Sequence, residues 1–223
     1  MNESVGSTSS NGSARTETVY IVDDDPSICE GLSDLLEAMG IATCCYGSAE
    51  EFHAAWEPEN RGCLLLDARL PGMSGVEFQE RMAQQGIRLP VVFMTAHGDM
   101  AMVRKVLKGG ALEFLIKPFQ KEELLEAIEQ AFDQDRRRRE EEEALASIQR
   151  RIDTLSERER QVMERVTAGH LNKQIAAELG LSEITVKIHR RKVMERMQAE
   201  SLAELVKLCE RVRYSESQMK ERP

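Results

Sequence analysis

At 223 residues the chain has room for one large domain or two modest ones, and a hydrophobic content of 41% can furnish a core for either. It has no apolar run of about eighteen residues and does not open on a basic patch followed by an apolar stretch, which predicts a cytoplasmic protein with no membrane partner. The net charge of -9 is unevenly shared: residues 1–132 carry ten Lys/Arg against twenty-one Asp/Glu and residues 133–223 carry twenty against eighteen, so two domains with different tasks are expected.

Residues 1–17 hold almost nothing that could be buried and read as a disordered tail. From residue 18 to 132, short β-branched runs alternate with longer segments whose apolar residues recur three and four apart, a βα repeat. Strands are predicted at Val19–Val22, Ile41–Tyr46, Cys63–Leu66, Pro90–Met94 and Ala111–Ile116. Amphipathic stripes at Ile28, Leu32, Leu35, Leu36 and Met39, and again at Leu124, Leu125, Ile128 and Phe132, mark helices between and after them. Five such units give an α/β domain with a parallel sheet covered on both faces. The cysteines Cys29, Cys44, Cys45, Cys63 and Cys209 are odd in number, form no CxxC pair and lie in apolar segments, which predicts reduced core thiols.

Residues 133–152 change character. Arg136 to Arg139 run directly into Glu140 to Glu143, so each Arg has a Glu four residues on, which favours a solvated linker helix. Leu145, Ile148, Ile152 and Leu155 follow with the a/d spacing of a short coiled coil, a run too short to fix whether two copies pair. Every apolar run from residue 153 to 210 has helical spacing, with a break at Gly180, which predicts an all-α bundle of about four helices; residues 211–223 read as a C-terminal tail.

In a parallel α/β sheet, ligands gather at the carboxyl ends of the strands. Asp23, Asp24 and Asp25 follow the first strand, Asp67 ends the third, Thr95 the fourth, and Lys117 follows the fifth, so all converge on one edge. Carboxylates so placed repel one another unless a cation is present, and a hard divalent ion such as magnesium meets that need while keeping several waters. With Lys117 and Thr95 added, the cluster suits neutralising a phosphoryl group that approaches a carboxylate nucleophile. His97, beside the cluster, reads as a loop residue.

The segments IVDDD, LLLDARLPGMSG, MTAHGD and EFLIKPF resemble the motifs of two-component receiver domains over residues 18–132. That resemblance implies a flavodoxin-like, doubly wound, five-stranded sheet in which Asp67 takes a phosphoryl group from a sensor histidine kinase. It further implies that Asp23, Asp24, Asp67 and the main-chain carbonyl of Arg69 hold Mg2+, that Thr95 and Lys117 contact the phosphoryl oxygens, that Phe114 is the switch aromatic, and that Lys117–Pro118 is cis.

The C-terminal helices spell a helix-turn-helix. Ile175, Ala176 and Leu179 form the inner face of the second helix, Gly180 permits the turn, and Ser182 caps the third helix. Val186, Val193 and Met197 face inward, which turns Lys187, Ile188, Arg191 and Lys192 outward as a basic face with one aliphatic side chain, suited to phosphates, guanine edges and a thymine methyl. His189 reads as a packing or phosphate-side residue. LSERERQV and NKQIAAELGLSEITVKIHR resemble the LuxR-type DNA-binding domain of the NarL/FixJ group over residues 153–210. By that resemblance Lys187, Ile188 and Arg191 meet bases, while Lys173, Thr185, Arg190 and Lys192 lie nearer phosphates.

Together these imply a response regulator that binds double-stranded DNA, with RNA polymerase as a candidate further partner and no enzyme activity beyond its own phosphotransfer and dephosphorylation. Phosphorylation is expected to rearrange the face around Met102–Lys108 and Phe114–Leu125 and produce a homodimer on a pseudo-palindromic site. Two rivals remain at this level. A magnesium-dependent phosphatase would need a second carboxylate two residues after the nucleophile, where Arg69 stands. A receiver coupled to a protein-binding helical domain would show no DNA shift even at low salt.

Overall fold

In the computed structural model, residues 16–96 and 111–221 are described; the expected tail up to residue 15, His97 and the 102–108 part of the switch face lie outside them. The chain divides into two units, residues 1–138 and 139–223.

The first unit contains five strands, β1 (Thr18–Val22), β2 (Ala42–Tyr46), β3 (Gly62–Asp67), β4 (Val91–Thr95) and β5 (Glu113–Ile116), all parallel and ordered β2-β1-β3-β4-β5. The strand order reverses between β1 and β3, which places the crevice for a ligand at their carboxyl ends. Alternate residues feed two cores. Tyr20, Val22, Leu64, Leu66, Val91 and Phe93 meet α2 (Ala49–Ala55) and α3 (Gly75–Gln84) on one face. Val19, Ile21, Cys63, Leu65, Val92 and Met94 meet α1 (Pro26–Glu37) and the start of α4 (Lys121–Asp153) on the other. Burial on both faces explains why β1, β3 and β4 read as unbroken apolar runs.

The edge strand β2 is different. Cys44 and Cys45 are exposed, whereas Cys29, Cys63 and Cys209 are buried, so the expectation of five core thiols holds for three. A strand with a neighbour on one side only cannot bury all its side chains.

At the amino-terminal rim of the sheet, Gly62 has φ +121°, and a Cβ there would lie 2.0 Å from the Thr18 carbonyl oxygen, so only glycine fits. Its N–H donates to Asp135, 1% exposed on α4, at 3.1 Å, and Asp135 is also paired with Arg138. Arg136 pairs with Glu17 and Asp133, not with the Glu four residues on that the charge pattern suggested.

In the second unit, Ile148 and Leu155 are buried in the C-terminal core and Ile152 packs against it. The stripe read as a coiled coil therefore serves its own bundle. That bundle comprises α5 (Glu157–Thr167), α6 (Asn172–Leu179), α7 (Glu183–Met197) and α8 (Leu202–Glu221), the last continuing past residue 210. Ser156 and Glu159 form a reciprocal cap on α5. Arg196, from the far end of α7, reaches Glu159 at 2.8 Å and the Thr154 carbonyl at 2.6 Å, closing the bundle.

Candidate functional site

Strand register brings the chemistry together. Val22 pairs with Leu66, Asp67 with Met94 and Thr95 with Ile116, so the residues at or just beyond these ends share one level. Asp23 is 2% exposed, Asp67 half-buried and Thr95 buried. The Lys117 ammonium donates to Asp23 Oδ2 at 2.6 Å and to Asp67 Oδ2 at 2.5 Å. Four strand ends thus converge on a single lysine and two carboxylates.

Each remaining carboxylate oxygen shapes the backbone. Asp23 Oδ1 accepts the Asp25 N–H at 3.0 Å and Asp67 Oδ1 accepts the Arg69 N–H at 2.6 Å. Asp25 faces away from this chemistry: its side chain accepts from Ser27 N–H and caps α1 at Pro26. Asp24 is exposed beside the site. The Lys117 N–H donates to the Thr95 carbonyl at 2.7 Å, and the Lys117–Pro118 peptide is cis. Phe114 is half-buried against the core that contains α2 and α3.

Burial pushes the Asp23 carboxyl above its ordinary range, outweighing the hydrogen bonds from Lys117 and Asp25. Burial alone would lower the Lys117 ammonium, but hydrogen bonds to Asp23 and Asp67 hold it above its usual value. We take the lysine as charged, since carboxylate oxygens lie against it on two sides. The pocket thus sets one ammonium against two carboxyl groups, with a third, that of Asp24, exposed beside them.

Hard oxygen donors from Asp23, Asp24 and Asp67, with the Arg69 carbonyl, match the preferences of magnesium, which takes one or two carboxylates and keeps water. Among the described residues, no group of three or more His, Cys, Asp or Glu forms a metal cage. The donor set fits a partly hydrated ion rather than one enclosed by protein.

Sequence reasoning did not identify Gly75 as part of this site. A Cβ on Gly75 would lie 2.5 Å from the Asp67 carbonyl oxygen and 3.0 Å from the Phe93 ring, so the start of α3 abuts the backbone of Asp67 itself. Ser74 and Glu77 cap that helix reciprocally, and the S-x-x-E spacing was a visible signal.

In the second unit, Gly180 ends α6 in the left-handed region at φ +66°, with the Leu181 N–H donating to the Ala176 carbonyl at 2.9 Å. Ser182 caps α7 by accepting from Thr185 N–H at 3.0 Å. Val186, Val193 and Met197 are buried, while Lys187, Ile188, Arg191 and Lys192 are exposed on the other side of α7. Thr185, His189 and Arg190 are half-buried, with Arg190 reaching Asn172 at 3.3 Å, and Lys173 is exposed on the first turn of α6. Two exposed apolar residues extend this surface beyond the expected set, Ile184 (71%) and Leu171 (68%).

Residues 19–129 match the family model described as response regulator receiver domain, and residues 153–209 match that of bacterial regulatory proteins, luxR family. Nodulation protein W of Bradyrhizobium diazoefficiens is 45% identical over 192 residues, which cover 86% of this chain and 85% of that protein. Among solved structures, the response regulator StyR shares 44% identity with a TM-score of 0.78, covering 87% of this chain and 98% of that one. Full-length FixJ from B. japonicum shares 38% with a TM-score of 0.55, covering 88% and 97%.

Proposed function

The chain belongs to the LuxR-type response regulators of two-component systems, transcriptional regulators with a receiver and a DNA-binding domain, and from that premise we propose that Asp67 is its phosphoacceptor and the outer face of α7 its reader of DNA. The observation that carries the first reading is the Lys117 ammonium held between Asp23 and Asp67. It keeps positive charge where a phosphoryl group must come to rest.

In the transfer, an Asp67 carboxylate oxygen forms a bond to phosphorus as the bond from phosphorus to a kinase histidine nitrogen breaks, leaving the imidazole behind. Lys117 exchanges a carboxylate contact for a phosphoryl oxygen, and Thr95 supplies a hydroxyl. Asp23, Asp24, Asp67 and the Arg69 carbonyl would hold magnesium, which offsets the charge gathered there. Position 69 offers an arginine where a phosphatase of this kind would place an acid/base carboxylate, which supports a receiver that takes part only in its own phosphotransfer and dephosphorylation.

Lys187, Ile188 and Arg191 would meet base edges, with Lys173, Thr185, Arg190 and Lys192 toward phosphates. A chain with these partners, a histidine kinase and double-stranded DNA, works in the cytoplasm. Added charge of about -2 at Asp67 draws Thr95 and Phe114 inward and favours a homodimer through the Phe114–Leu125 face; RNA polymerase is a further contact at the promoter.

Incubation with a radiolabelled small phosphodonor and magnesium tests the assignment. Asp67→Asn should take up no label while its circular dichroism is unchanged; label persisting on Asp67→Asn refutes Asp67 as acceptor. An Arg191→Ala variant that still discriminates its operator from random DNA refutes the reading face.

A further inference from the structure

On the side of the sheet covered by α1, the edge strand β2 meets that helix along two rungs. The Ser33 and Thr43 hydroxyls are hydrogen-bonded. One turn earlier on α1 and two residues later on β2, Cys29 faces Cys45. The Cys45 thiol donates to the Cys29 carbonyl at 3.6 Å, which sets the Cys45 sulfur against the backbone of the residue that bears the second thiol. Cys29 is buried and Cys45 exposed, an inner and an outer cysteine on facing elements.

We propose that Cys29 and Cys45 form a reversible intramolecular disulfide when the protein meets a hydroperoxide. The exposed Cys45 sulfur attacks the peroxide, the O–O bond breaks, and Cys45 becomes a sulfenic acid as one water leaves. The Cys29 sulfur then displaces the sulfenic oxygen, which departs as a second water with the Cys29 proton. Two thiols and one hydrogen peroxide become one disulfide and two waters: the sulfurs are oxidised and the peroxide oxygens reduced. A dithiol reverses it by thiol–disulfide exchange.

The location links this chemistry to the pocket. The Cys29 thiol also donates to the main-chain carbonyl of Asp23 at 3.5 Å, and oxidation removes that donor from the residue that holds Lys117. Cys44 projects to the other face of β2 by strand alternation and serves as an internal control. Cys63 is sealed in the core and Cys209 belongs to the other unit.

The test uses the full-length reduced protein, titrated with hydrogen peroxide and quenched with N-ethylmaleimide. No Lys or Arg lies between Arg15 and Arg61, so trypsin leaves all three relevant cysteines in one peptide, whereas cleavage after Glu30 and Glu37 separates Cys29 from the pair on β2. Mass spectrometry without reduction should find the Cys29 peptide joined to the Cys44–Cys45 peptide, about 2 Da below their summed mass, and separated again by dithiothreitol. The link should survive in C44S and vanish in C45S and C29S. Because Cys29 is buried, C45S at its exposed position decides the matter should C29S fail to fold. A link that persists in C45S, one that forms only between two chains, or Cys45 advancing to the sulfinic acid beside an alkylated Cys29 overturns the proposal.

Discussion

Lys117→Met removes the ammonium that lies 2.6 Å from Asp23 and 2.5 Å from Asp67 while keeping most of the side chain's bulk. The loss falls on Asp23, whose carboxylate is 2% exposed and which, among the described residues, pairs with no other cation. Stripping one partner from a buried ion pair costs about 3–5 kcal/mol when the remaining charge is sealed from water. Here the lysine is 16% and Asp67 14% exposed, so solvent shares the task, and we expect about 2 kcal/mol near neutral pH in metal-free buffer. The pH dependence identifies the cause. Burial already holds the Asp23 carboxyl above its ordinary value, and the variant loses the strongest influence opposing that rise. A group whose folded value is raised contributes its stability below the unfolded value, about 4 for an aspartate, and loses it as pH climbs through the folded value. The deficit of Lys117→Met should therefore be small in acid and widen toward neutrality. Trp56, the single tryptophan, packs on Tyr20 and Phe52 in the receiver, so its fluorescence during urea unfolding at a series of pH values reports on this unit alone. In the Asp23→Asn/Lys117→Met double variant the widening should disappear. A deficit that stays constant with pH, or shrinks toward neutrality, refutes the reasoning.

Three further outcomes follow from other contacts. Gly75→Ala forces a methyl against the Asp67 carbonyl oxygen and should lower receiver stability by about 1–3 kcal/mol, read by Trp56 fluorescence, and slow phosphoryl uptake as well. Asp135→Asn weakens the bond to Gly62 and the pairing with Arg138, with a loss of about 1–3 kcal/mol but unchanged label incorporation per folded molecule; reduced incorporation would show that the two rims of the sheet are coupled. Burial alone would raise Glu159, but hydrogen bonds from Ser156 and the charges of Arg196 and Lys192 hold it below its ordinary range. Its contribution is present above the unfolded value and lost as pH falls through the folded one, so Glu159→Gln should destabilise the C-terminal bundle by about 1–2 kcal/mol near neutrality, with the gap closing in acid by far-ultraviolet circular dichroism.

The meeting of Asp23, Asp67 and Lys117 was legible because a parallel sheet places whatever follows each apolar run on one edge, and a period of two or of 3.6 is enough to find those runs. The face of α7 was legible for the same reason, since Val186, Val193 and Met197 orient everything else on the helix. What escaped reading depends on distances between segments far apart in the chain. Asp135 looked like one more charge in a solvated stretch, yet it is buried against Gly62, 73 residues away. The closeness of Gly75 to Asp67 arises from the loop between them folding back, which no local pattern encodes. Cys44 and Cys45 sit in an apolar run, and only the sheet order reveals that their strand is an edge. The pairing of Arg196 with Glu159 spans 37 residues, although the capping spacing of Ser156 and Glu159 could have flagged the carboxylate.

Gly62, with its backbone pressed against Thr18 and its N–H tied to Asp135, stands at the opposite rim of the sheet from Asp67. A plate clamped along one border responds to a push at the other by flexing there, without losing the alignment of its layers. On the proposed phosphorylation of Asp67, the strand tips bearing Thr95 and Lys117 would be the border left free to respond, with the contacts of Gly62 holding the ladder behind them.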